Sequence, residues 1–133
     1  MAIVSVDTNV IIRLLTKDDN SQFQLSLKLF QEQNIFICDT VILEVEWVLR
    51  FAYKFSPSQI NKALQNLFAL PNVHLTNANV IAGVLNWHQL GLDFADAFHL
   101  AQSQQCSRFY TFDRQFLRKG KELSKCKLKL PKF

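Results

Sequence analysis

Glycine, proline and cysteine are scarce in this chain, with three of each. So few Gly and Pro leave no flexible or Pro-rich linker, and no repeat or low-complexity tract is visible. Cys38, Cys106 and Cys126 are odd in number and far apart. They exclude a complete disulfide framework and lack the close pairs of a zinc site. They read as reduced, buried thiols of a cytoplasmic protein. No apolar run approaches the roughly 20 residues that a membrane span needs. The N-terminus is apolar, but it has no basic leader and carries Asp7 early, unlike a secretory signal.

What is abundant is core material. Of 133 residues, 49% are hydrophobic and twelve are Phe, enough to fill one interior and to argue against disorder. We therefore expect one domain over residues 1–133. The net charge of +4 is unevenly spread. From Arg108 onward nine bases meet only Asp113 and Glu122, so this end carries +7 and the remainder −3. A basic end suits either an anionic partner or a solvated surface.

Short apolar runs alternate with helical patterns. Ile3–Val6, Ile35–Cys38, Val73–Leu75 and Arg108–Phe112 read as strands. Helices are expected after Asp7-Thr8-Asn9 through about Leu15, from Ser21 to Gln33, from Asp39 or Thr40 (as cap) to about Tyr53, and from Ser56-Pro57 onward. Others are expected from Asn77 to about His88, Asp93 to about Gln104, and after Asp113. Lys125–Leu130 alternates strictly, which predicts a last strand with one buried face. Its lysines protect a sheet edge from pairing with other chains, and we favour that reading over an RNA contact. Strands alternating with helices imply a parallel α/β sheet covered on both faces, with ligands outside the carboxyl ends of the strands.

That rule directs attention to acids. Asp7 follows the first strand and Asp113 the fourth, although either could simply cap a helix. Glu44 shares a helical face with Val41, Val48 and Phe51, an expensive place for an unpaired carboxylate. Glu46, by contrast, can pair with Arg50 one turn on and reads as a surface acid. Asp93 and Asp96 open a helix at i,i+3 spacing, which fits a cap and a first-turn acid as well as a site. If Asp7, Glu44, Asp96 and Asp113 converge to ~5 Å, each pair repels by about 3 kcal/mol at an effective dielectric near 20. Six bare pairs would overwhelm a stability of roughly 5–15 kcal/mol. Protonation or a divalent cation must relieve them, and an all-oxygen site suits Mg²⁺ or Mn²⁺. The matching chemistry is phosphodiester hydrolysis by metal-activated water.

The segments Val6-Asp7-Thr8-Asn9-Val10-Ile11, Leu43-Glu44-Val45-Glu46-Trp47-Val48-Leu49, Asp93-Phe94-Ala95-Asp96-Ala97-Phe98-His99-Leu100-Ala101 and Tyr110-Thr111-Phe112-Asp113-Arg114-Gln115-Phe116 carry a resemblance. In order and spacing they resemble PIN-domain nucleases, and specifically the VapC-type toxins of toxin–antitoxin pairs. The resemblance implies a three-layer α/β/α sandwich around a mainly parallel sheet of about five strands. It implies Mg²⁺- or Mn²⁺-dependent endoribonuclease activity, with Asp7, Glu44, Asp96 and Asp113 as catalytic metal ligands and Asp93 as an accessory acid. It also implies a small antitoxin partner and a homodimer. Asn9 matches a position that orders the acids through its amide, though a local turn bond explains it equally. Thr111 has a similar supporting role. Arg114 and Arg118 either grip RNA phosphate or form a solvated helix face. Trp47 and Trp87 read as core, and His99 as an ordinary helix histidine.

Two rivals remain. One is a non-catalytic RNA-binding or assembly module on the same fold. The other is a different Mg²⁺ phosphoryl-transfer hydrolase, such as a haloacid-dehalogenase-like phosphatase. The latter needs an Asp two residues after Asp7, where this chain has Asn9.

Overall fold

β-branched residues and well-capped helices alternate along the chain much as their order predicts. The computed structural model describes residues 2–132. It divides into two units, Met1–Thr76 and Asn77–Phe133. No helix among the described residues is long and apolar enough to cross a membrane.

In the first unit, β1 (Ile3–Ser5) leads into α1 (Thr8–Thr16) and α2 (Asn20–Glu32). β2 (Asn34–Ile37) is followed by α3 (Asp39–Phe51), α4 (Pro57–Phe68) and β3 (Val73–Leu75). The three strands pair in parallel with β2 in the middle. That position explains why Ile35 and Ile37 are buried completely. Ile11 and Ile12 of α1, Ile42, Val45 and Leu49 of α3, and Ile60 and Leu64 of α4 complete this core. The Ser56-Pro57 signal is realised as a capping box: Gln59 N–H donates to Ser56 Oγ while Ser56 N–H donates to Gln59 Oε1.

In the second unit, α5 (Ala78–Gln89) packs on α6 (Phe94–Ala101). Gly91, at φ 108°, makes the turn between them, with Gly91 N–H donating to His88 O and Leu92 N–H to Trp87 O. This is a left-handed helix stop that a side chain would strain. β4 (Arg108–Tyr110), α7 (Arg114–Gly120) and β5 (Lys127–Lys129) follow, and β4 pairs with β5 in parallel. Phe116 and Gly120 of α7 cover one face of this ladder. The Phe116 ring meets Phe109 edge-on at 5.5 Å. A Cβ on Gly120 would lie 2.8 Å from Leu128 Cδ1.

The α/β class with parallel strands is therefore observed. Among the described residues five strands are present, three in a parallel ladder of the first unit and two in a parallel ladder of the second. Some boundaries move. β4 ends at Tyr110 and α6 at Ala101, both earlier than expected. The cap of α3 is Cys38, not Asp39 or Thr40, because the extended backbone of β2 turns directly into the helix there. The Cys38 thiol sits 3.3 Å from Thr40 Oγ1, and that contact together with the Val41 backbone holds its pKa below the usual thiol value. All three cysteines are free, but only Cys126 is buried, while Cys38 is half-buried and Cys106 exposed. Trp47 is 57% exposed and meets the Phe51 ring at a tilt instead of joining the core. Trp87 is half-buried, and His99 is exposed.

Candidate active site

Asp7 leaves β1 as the N-cap of α1, its Oδ1 accepting from Val10 N–H at 3.3 Å. Thr8, the first residue of that helix, is buried, and its hydroxyl donates to Glu44 Oε1. The turn after β1 and the middle of α3 are thus joined by one polar contact. Asn9 is exposed and lines a hollow of about 270 Å³ between α1 and α2, with Val10, Arg13, Gln22, Leu25 and Ser26.

Glu44 does not lie on the buried face of α3, contrary to expectation. The buried stripe of α3 is Ile42, Val45, Glu46 and Leu49. Glu44 is exposed. Glu46, expected at the surface, is only 3% exposed. Arg50 answers it, with Nε 3.0 Å from Oε2 and Nη2 donating to Oε1 at 3.3 Å. Glu44 is set apart by its bond from Thr8, not by interruption of an apolar face.

The second unit holds the clearest gathering of acids. Asp93 caps α6, and its Oδ2 accepts from Asp96 N–H at 3.2 Å. Asp113 caps α7, its Oδ1 accepting from Gln115 N–H and Phe116 N–H at 3.0 and 3.1 Å. Thr111 Oγ1 accepts from Asp113 N–H at 3.0 Å, which fixes the turn that presents this acid. Asp93, Asp96 and Asp113 line a hollow of about 320 Å³ with Leu92, Gln115, Phe116 and Lys119. Lys119 Nζ reaches back to Gly91 O at 3.1 Å. Burial pushes the Asp96 carboxyl above the usual range, and the charges of Asp93 and Asp113 push it further, while His99 opposes them. Arg114 and Arg118 are exposed on α7.

Asp7, Asn9 and Glu44 thus belong to the first unit. Asp93, Asp96, Thr111, Asp113, Arg114 and Arg118 belong to the second. Among the described residues no three His, Cys, Asp or Glu side chains are arranged to hold a metal ion. Asp7, Asp93 and Asp113 each give an oxygen to a helix N-terminus. The donor chemistry nonetheless fits a hard divalent cation. The set around Asp96 is all oxygen, and its mutual repulsion is what such a cation relieves. The contribution of Thr8 was not anticipated. The signal available for it was a hydroxyl directly after Asp7, in the first turn of a helix.

No curated protein matches the chain. A family model described as PIN domain matches residues 4–122, a span that contains all the acids named above. That match takes in most of the sequence, and the chain belongs to the PIN-domain family, whose members are generally metal-dependent nucleases.

Proposed function

We propose that the chain, working as a single nuclease domain over residues 1–133, is a Mg²⁺- or Mn²⁺-dependent endoribonuclease of the VapC-like toxin class. Asp7, Glu44, Asp96 and Asp113 are its catalytic metal-holding carboxylates and Asp93 its accessory acid. The observation that carries this reading is the hollow of Asp93, Asp96 and Asp113, where the Asp96 carboxyl is held above its usual range by burial and by its two neighbours. When bound, a divalent cation lowers the pKa of water and stabilises charge at the phosphate and the leaving oxygen. The protein's own groups do the rest. Thr8 orients Glu44, Thr111 orients Asp113, and Asn9, in the first turn of α1, is the supporting amide. Arg114 and Arg118 draw phosphate toward α7 by charge. A cytoplasmic location, a small antitoxin and a homodimer belong to the same reading.

The test is incubation of the purified protein with structured RNAs, with and without Mn²⁺. Cleavage should require the metal and fall by orders of magnitude in Asp96→Asn. Cleavage that survives EDTA, or persists unchanged in Asp96→Asn, overturns the reading. A non-catalytic RNA-binding module is the second reading, favoured by the helix-capping bonds of Asp7, Asp93 and Asp113. RNA binding without turnover, indifferent to Asp7→Asn, would select it.

A further inference from the structure

The two-stranded ladder of the second unit has two unlike faces. Leu128 and Cys126 are buried, and Phe116 and Gly120 of α7 close over Leu128 and Phe109. Arg108 and Tyr110 of β4 and Lys127 and Lys129 of β5 are all exposed. The parallel register sets Arg108 beside Lys127 and Tyr110 beside Lys129. In-register neighbours project to the same side of a ladder, so these four share the outer face. Tyr110 is 56% exposed, and Phe112, two residues on, is 78% exposed. No acid lies on either strand.

Edge protection accounts for a lysine row but not for this arrangement. It gives no reason to leave two aromatic rings in water beside an arginine. Cations tracking a phosphate backbone, with an aromatic ring on which a base can stack, are the two elements of single-strand recognition. Lys127 and Lys129 lie about 6.6 Å apart along the strand, on the scale of neighbouring phosphates in an extended chain.

We propose that the outer face of the β4–β5 ladder binds single-stranded RNA, with Arg108, Lys127 and Lys129 on phosphates and Tyr110, extended by Phe112, stacking on bases. The choice of RNA rests on the ribonuclease reading. The logic of the placement is continuity. The chain leaves β4 through Thr111 and Phe112 into Asp113, so a strand laid along β4 is led to the hollow of Asp93, Asp96 and Asp113.

The experiment is fluorescence anisotropy of a labelled oligouridylate with the full chain in EDTA, so that binding is read without cleavage. Lys127→Gln/Lys129→Gln should weaken binding roughly tenfold at low salt. It should also flatten the dependence of log K on log salt by about 1.4, or ~0.7 per lost phosphate contact. Tyr110→Thr should weaken binding roughly tenfold, while Tyr110→Phe keeps the ring and the affinity. Lys28→Gln/Lys62→Gln removes equal charge from exposed positions of the first unit and should change neither quantity. Four results overturn the proposal: an equal loss in the Lys28/Lys62 variant, no effect of Tyr110→Thr, duplex RNA competing as well as single strands, or polyglutamate displacing the RNA as effectively as unlabelled RNA. Thermal melts and the ring-keeping Tyr110→Phe separate lost contacts from lost folding. Binding is read in EDTA and cleavage separately with Mn²⁺, so failure of the ribonuclease reading and failure of this surface are distinguishable.

Discussion

Thr8 gives its hydroxyl hydrogen to Glu44 Oε1, joining the turn after β1 to the middle of α3. Thr8 is buried, whereas Glu44 is exposed. The buried hydroxyl therefore orders a carboxylate that solvent would otherwise leave free to change rotamer. Thr8→Val keeps the shape and removes the donor. Loss of a partner that orients a metal-binding carboxylate typically costs 10–100-fold in metal affinity or activity. The expected outcome is a fall of that order in Mn²⁺-dependent cleavage, with stability lowered by only about 1 kcal/mol. Activity equal to wild type would show that Glu44 needs no orientation.

Glu46 and Arg50 form the most buried charged contact described on α3. Arg50 remains 36% exposed at its side chain, so water screens part of the pair. Glu46→Gln keeps the size and loses the charge. It should cost about 1–2 kcal/mol, with Glu46→Ala costing more because a cavity is added. Urea unfolding would show a lower midpoint at unchanged m-value. A midpoint equal to wild type would mean that the pair is neutral.

The swap of Glu44 and Glu46 marks where the sequence became unreadable. α3 carries apolar residues at 41, 42, 43, 45, 47, 48, 49 and 51, almost all round its circumference. Periodicity cannot choose among faces so nearly alike, and long-range packing of Ile42, Val45 and Leu49 made the choice. The Cys38 cap was hidden for a related reason. Asp39 and Thr40 are better caps by residue type, but the strand leaves its extended course one residue earlier. Features encoded within a few residues were legible. The Ser56 capping box, the alternating last strand (expected over Lys125–Leu130, observed over Lys127–Lys129) and the acids that follow β1 and β4 all depend on local order. The hollow that groups Asp93 and Asp96 with Asp113 depends on how α6 and α7 are placed, which local order does not state.

Gly120 ends α7 where Leu128 arrives, and the missing side chain is what lets α7 close over β5. Gly120→Ala gains up to about 1 kcal/mol of helix propensity. It loses roughly 1–3 kcal/mol to overpacking against Leu128 Cδ1 and the Phe116 ring. The net expectation is destabilisation of about 1 kcal/mol. In a Leu128→Ala background the same substitution fills space and should become neutral or stabilising. A double-mutant cycle measures that coupling. Additive effects would show that the two residues do not share the constraint.

Asp96 holds its proton more tightly in the folded chain than in the unfolded one, owing first to burial and then to Asp93 and Asp113. Below the unfolded value of about 3.9 both states are protonated and the group contributes nothing. As pH rises past that value the unfolded chain releases its proton first. Stability is therefore lost progressively up to the folded pKa and stays lost above it. Asp96→Asn cannot ionise and escapes this penalty. In EDTA at neutral pH it should melt above wild type, with the difference closing on acidification toward the unfolded value. Mn²⁺ should reverse the order by stabilising wild type alone, by about 2.7 kcal/mol at a hundred times its Kd. A variant less stable than wild type in EDTA would mean that the carboxylate makes structural contacts outweighing its repulsion. An equal response of both proteins to Mn²⁺ would place the cation elsewhere than on Asp96.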